Sequence, residues 1–166
     1  MKCFQNGIGG TVGAMKPGDV VPDFELPDET GATRKLSEFL ASGPVVLFFY
    51  PAAMTAGCTK ESCHFRDLKG EFEALGAQRL GISADQVAKQ KQFSDKYSFD
   101  YPLLSDVDRK VASSFGVTRS FGPMKTKRST FVIDTDGKVL DVISSEMRMD
   151  VHADRALEIL KGRRTS

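Results

Sequence analysis

Residues Val45 to Tyr50 read VVLFFY, a continuous apolar, β-prone run with no alternation. Such a run suits a strand buried on both faces, at the centre of a mostly parallel sheet. Pro51 ends it, because proline has no N–H to give to a ladder. Beyond a loop carrying Thr55 and Gly57, the residues Phe65, Leu68, Phe72 and Leu75 recur at helical spacing, and Gly76 is a helix stop. One helix is therefore expected from the loop to Gly76, with Cys58 at its start. The first turn of a helix has unpaired N–H groups and the positive end of the macrodipole. A thiolate there is favoured over the thiol, so more of the nucleophile is present at neutral pH. Thr55 can aim a hydroxyl at the same spot.

Cys63 follows in the second turn, making the pair C-x4-C. That spacing is neither the C-x2-C of a thioredoxin-type dithiol nor half of a zinc ribbon. In an ideal helix residues i and i+5 stand about 8.5 Å apart at Cα and on diverging faces. A disulfide requires Cα atoms within about 7 Å of each other. The two sulfurs can join only if the first turn of the helix unwinds.

The segment PAAMTAGCTKESC resembles the P-x3-T-x2-C signature of the peroxiredoxins, with Pro51, Thr55 and Cys58 at its fixed positions. The further cysteine is the pattern of the peroxiredoxin Q, or bacterioferritin comigratory protein, subfamily of the AhpC/TSA superfamily. The likeness runs from about residue 15 to 160 and includes PGDVVPDFELPDETG, YPLLSD from Tyr101, FGV from Phe115 and RSTFVIDTDGKV from Arg128. The resemblance implies a thioredoxin-like α/β fold and a thiol peroxidase acting on hydrogen peroxide and organic hydroperoxides. It implies Cys58 as the peroxidatic thiol, Cys63 as the intramolecular resolving thiol and Arg128 as the cation beside Cys58. Pro51 is expected to shield the thiol from water and from over-oxidation. A dithiol reductant, thioredoxin by family analogy, restores both thiols, and no metal, haem or flavin is needed. A monomer is expected, with weak dimerisation as the alternative.

With 23 basic and 22 acidic residues the net charge is +1, so nothing points to nucleic acid or a membrane surface. Three cysteines are too few for a disulfide-stapled secreted fold, and a reducing compartment, by default the cytoplasm, is expected. Residues 1–14, MKCFQNGIGGTVGA, are glycine-rich, aperiodic and without the apolar core of a signal peptide, and read as a flexible tail before one domain over 15–166. Cys3 reads as an exposed thiol on that tail, with a third redox partner as the sharper alternative.

Along the rest of the chain, Asp23 to Lys35 suggests a β-hairpin, and Ser37 an N-cap for a short helix ending at Gly43. Gln78–Ser83 reads as a strand, Gln86–Tyr97 as an amphipathic helix, Tyr101–Leu104 as a short edge strand, and Arg109–Phe115 as a helix capped by Gly116. Ser129–Ile133 and Lys138–Ile143 flank the turn residues Asp136-Gly137, and a last helix spans Asp150–Lys161. Strand–helix–strand–helix followed by a hairpin and a helix is the thioredoxin-like plan, a mixed sheet flanked by helices with an N-terminal hairpin.

Arg128 stands directly before a buried strand, an odd place for a charge unless it points into a site; its bland reading is a surface salt bridge. Glu61 is balanced between helix-surface pairing and orienting an arginine or Lys60. Cys58, Cys63 and His64 lack a fourth ligand and standard metal spacing, so core packing or an exposed face explains His64 better. Phe121, Pro123 and Met124 either line a pocket mouth or anchor a loop. Two other functions stay open. A thiol–disulfide reductase is disfavoured by C-x4-C with Thr55 three residues upstream, and a non-catalytic redox or metal-delivery protein would use Cys58, Cys63 and His64.

Overall fold

The computed structural model describes residues 14–122 and 125–164. Cys3 and nearly all of the expected tail lie outside that range, as do Pro123 and Met124. In chain order the elements are β1 (Glu25–Pro27), β2 (Thr33–Lys35), α1 (Leu36–Leu40), β3 (Val45–Phe49), α2 (Ala56–Asp67), α3 (Lys69–Ala74) and β4 (Gln78–Ser83). They continue with α4 (Val87–Tyr97), β5 (Leu103–Ser105), α5 (Lys110–Ser114), β6 (Ser129–Ile133), β7 (Val139–Ser144) and α6 (Asp150–Arg164). β1 and β2 form the expected hairpin, and the other five strands form one mixed sheet in the order β5-β4-β3-β6-β7.

The unbroken apolar run becomes the central strand, and its alternate residues feed two separate cores. Val46, Phe48 and Tyr50 pack with Phe65 of α2, Phe72 of α3, Phe93 of α4 and Ala153, Ala156 and Leu160 of α6. Val45, Leu47 and Phe49 pack on the other side with Leu36 and Phe39 of α1, Phe115 just after α5, and Phe131. Both faces of β3 are therefore dry, which is why the sequence has no polar alternation there.

Strand directions place the site. β3 is parallel to β4 but antiparallel to β6, with Phe49 opposite Ser129. The end of β3 that leads to Pro51 and the start of β6 that follows Arg128 thus lie at the same edge of the sheet.

Two local expectations differ. The single helix expected up to Gly76 is two, α2 and α3, broken at Leu68, where ψ is 21°. Gly70, two residues on, lowers helix persistence there, yet Phe65 and Phe72 stay buried and the apolar stripe survives. Ser37 does not cap α1: Lys35 holds that position, and Ser37 lies inside the helix with its N–H and hydroxyl both donating to Asp23.

Candidate active site

Cys58 sits in the first turn of α2 and is fully buried, whereas Cys63, on the same helix, is half-buried, and both thiols are free. Burial pushes the Cys63 thiol up from its ordinary value. The helix opens at Thr55, which occupies the N-cap position without a side-chain cap hydrogen bond. The Thr55 hydroxyl instead donates to the Ala52 carbonyl at 2.8 Å. Its proton is thus turned back into the loop rather than toward Cys58, and only its lone pairs remain free.

That loop is held under tension and pinned. Met54 has φ 71°, the left-handed region that a side chain adopts at a cost. The Asp85 carboxylate accepts the Ala53 N–H at 2.7 Å and the Ser83 hydroxyl at 2.7 Å. Gln90 extends this anchor, donating to Ser83 and to the Leu104 carbonyl while accepting the Tyr50 hydroxyl. Pro51, half-buried, follows the anchored Tyr50 and leads into the loop.

Arg128 reaches the sulfur from across the sheet edge. Its side chain is only 7% exposed, and its two terminal nitrogens divide: Nη2 stands 3.3 Å from Cys58 Sγ and Nη1 donates to Glu61 Oε1 at 2.8 Å. Its backbone N–H is fixed by Glu146 at 2.9 Å, and Glu146 also accepts from Arg119. The surface-salt-bridge reading of Arg128 is excluded. Glu61, balanced between two readings in the sequence, is fully buried and orients the arginine. Burial pushes its carboxyl up to about 8, although the Arg128 charge pulls it down. Gly57 lies against this approach: a Cβ there would stand 3.2 Å from Arg128 Nη2 and 3.4 Å from Met149 Cε, so the guanidinium would have to shift slightly to admit one.

The other candidates scatter. His64 Nε2 pairs with Asp154 Oδ1 of α6 at 2.8 Å, an inter-helix contact rather than core packing. Cys63 and His64 border a surface hollow of roughly 270 Å³ together with Lys60, Asp67 and Asp150. Phe121 is 87% exposed, so it anchors nothing. His152, unassigned in the sequence, is fully buried beside Glu61, with Nδ1 3.4 Å from Oε2. Its place depends on α6 folding back over α2, for which no local pattern gives a signal. Among the described residues no group of three or more His, Cys, Asp or Glu could hold a metal ion, and no helix is long and apolar enough to cross a membrane.

A helix-end cysteine next to a strand-edge arginine on a thioredoxin-like sheet is the arrangement of a thiol peroxidase. The chain belongs to the AhpC/TSA family, whose model matches residues 17–142. It is 62% identical over 153 residues to a putative peroxiredoxin of Mycobacterium tuberculosis, covering 91% of this chain and 99% of that one. It is 38% identical to the chloroplastic peroxiredoxin Q of Triticum aestivum, over 90% of this chain and 68% of the relative. The crystal structure of the peroxidoxin BcpB from Mycobacterium tuberculosis superposes with a TM-score of 0.86 at 63% identity, covering 89% of this chain and 97% of the other. The protein is accordingly a peroxiredoxin of the Q and bacterioferritin comigratory type, a thiol peroxidase of the atypical two-cysteine class that works with a thioredoxin-type dithiol reductant.

Proposed function

We propose that Cys58 is the peroxidatic thiol and Cys63 the resolving thiol of this peroxidase, with Arg128 as the cation that serves the first step. The observation that carries this reading is the 3.3 Å approach of Arg128 Nη2 to Cys58 Sγ at the N-terminus of α2. The Cys58 thiolate attacks one oxygen of a hydroperoxide; the S–O bond forms, the O–O bond breaks, and the leaving oxygen takes a proton to become water or an alcohol. Negative charge moves from sulfur to the leaving oxygen during that step. Arg128 and the free N–H groups of the helix end lie where that charge develops, before and after transfer. Pro51 and the pinned loop keep bulk water from the sulfur. Thr55, with its proton committed to Ala52, supports the reaction by shaping the loop and by accepting a hydrogen bond from the peroxide.

Cys63 sulfur then attacks Cys58 sulfur, forming the disulfide and releasing the hydroxyl as water. Thioredoxin, by two exchanges, becomes the disulfide and leaves two thiols. Both hydrogen peroxide and organic hydroperoxides meet this chemistry, since only the terminal O–O bond is read. A reducing compartment such as the cytoplasm supplies the dithiol, in keeping with the scarcity of cysteine.

Cys58→Ser should abolish peroxide turnover. Cys63→Ser should keep one stoichiometric oxidation and lose recycling, leaving Cys58 as a sulfenic or over-oxidised acid. Mass spectrometry of oxidised wild type, digested without reduction, should give a Cys58–Cys63 cross-linked peptide. Recycling of Cys63→Ser at the native rate would pass the resolving role to another thiol.

A further inference from the structure

Behind Arg128 lies a second set of buried groups that the peroxide chemistry does not use. Glu61 gives Oε1 to Arg128, while its Oε2 is buried without a hydrogen-bond partner. His152 of α6, fully buried, faces that orphan oxygen with Nδ1 at 3.4 Å. The same Nδ1 lies 2.7 Å from the Thr130 hydroxyl of β6, and Nε2 lies 2.9 Å from the Ser145 carbonyl.

The partners fix the protons. A carbonyl only accepts, so Nε2 carries a hydrogen. A neutral imidazole then presents its Nδ1 lone pair to the Thr130 hydroxyl, with Glu61 Oε2 beside it at 3.4 Å and not hydrogen-bonded. An ionised Oε2 facing that lone pair is repelled, and a proton on either atom removes the repulsion. A proton on Oε2 leaves the pair net neutral. Without it they carry one negative charge directly behind the arginine.

We propose that His152 is a positioning residue for the peroxide step: its neutral imidazole, 3.4 Å from the orphan Oε2, keeps a proton on Glu61 and so decides whether that carboxyl neutralises Arg128 or leaves its charge to Cys58 and the leaving oxygen. The proposal rests on the roles given above to Cys58 and Arg128. Burial disfavours the charged form of each group, pushing Glu61 up to about 8 and His152 below its ordinary value, so the proton sits on Glu61 and the imidazole stays neutral. The charges facing Glu61 are Arg128 and, farther off, Glu146, with the Tyr101 hydroxyl also near; those facing His152 are Arg128, Glu146 and Asp150. As pH rises through about 8 the proton leaves, and Glu61 competes with the thiolate and the leaving oxygen for Arg128.

The test is the pH profile of the peroxide-dependent step, measured by single-turnover stopped flow. In the wild type the rate constant should fall above about pH 8 along a one-proton limb. Glu61→Gln should lack the limb. His152→Asn sets an amide N–H in place of Nδ1, against Oε2, which favours the carboxylate and should move the limb about one pH unit lower. A readout independent of activity uses Cys58→Ser protein, in which the carbonyl stretch of protonated Glu61 is followed by infrared difference against the additional Glu61→Gln change. It should titrate at the wild-type pH with His152 present and lower with His152→Asn. Nitrogen NMR of the wild-type protein needs no His152 variant: the His152 Nδ1 shift should change in the same pH interval as the Glu61 carboxyl. A limb and a carboxyl titration unmoved by His152→Asn, or a silent Nδ1, would overturn the proposal. Retained turnover in Cys58→Ser would instead overturn the roles beneath it, and the infrared titration would still report on the pair.

Discussion

Glu61 illustrates what one buried carboxyl does to the stability of the whole chain. Its folded value is raised from 4.5 to about 8, so between those limits the folded protein keeps a proton that the unfolded chain has released. The stabilisation linked to that proton is complete below about 4.5, is lost as pH rises to about 8, and is flat beyond. Its size is on the order of a few kcal/mol. His152 works the other way, because its lowered value makes stability rise with pH up to its ordinary value of 6.5. The net decline is therefore concentrated between about pH 6.5 and 8. Chemical denaturation of the reduced protein across that interval should show it, and Glu61→Gln should flatten it; parallel curves would remove Glu61 as the source. Cys58 and Arg128 were legible as residues because each occupies a telling local place, one at a helix start and the other before a buried strand. Gly57 was legible only as a loop residue before Cys58, whereas it lies inside α2. That it lies against a guanidinium from another strand is a tertiary fact with no local trace.

At the scale of the element, α2 must both activate one thiol by being helical and deliver it to a second by not being so. The reduced form holds Cys58 and Cys63 on one continuous helix, with the spacing that forbids a bond. Oxidation should therefore unwind the helix from its start. The structure sets where unwinding stops: the Phe65 ring stacks on Phe48 of β3 at 4.1 Å between centroids, and the Phe65 carbonyl accepts from Arg79 at 2.8 Å. Hydrogen exchange should show amides of residues 56–63 losing protection in the disulfide form, while 65–67 and β3 keep theirs. Equal protection in both redox forms would mean that the disulfide closes without unwinding. The periodicity of Phe65, Leu68, Phe72 and Leu75 revealed the buried stripe of this region but not its interruption at Leu68. A stripe reports which side chains are inward, and a slight turn of the backbone leaves that unchanged.

For the molecule as a whole, the two cores on either face of β3 are unequal in function. Truncating a buried phenylalanine to alanine costs about 3–5 kcal/mol on either side. Phe131→Ala empties the core shared with Phe49 and Phe115, away from Cys58. Phe48→Ala removes the ring on which α2 rests. The two variants should lose similar melting temperature, but Phe48→Ala should lose far more of the peroxide-dependent rate; equal rate losses would mean that α2 is positioned by other contacts. The sheet plan was largely readable, since the strand and helix order admits few wirings and the VVLFFY run could only be central. The antiparallel insertion of β6 next to β3, which carries Arg128 to the thiol, has no trace in any pattern within RSTFVI. Strand direction is written in the connections, not in the strand.

The hydrogen bond from the Tyr101 hydroxyl to the Ser62 carbonyl, 2.7 Å long and buried, gives the protein a light-emitting gauge of its own chemistry. The chain has no tryptophan and three tyrosines, so its ultraviolet emission is tyrosine emission. Ser62 immediately precedes the thiol that must move, and the phenol is tied to its backbone. When the first turns of α2 come apart the phenol loses that acceptor, and its emission changes with no label attached. Each catalytic cycle should thus be visible as a flicker and recovery in the protein's own fluorescence, absent in Cys63→Ser and altered at rest in Tyr101→Phe.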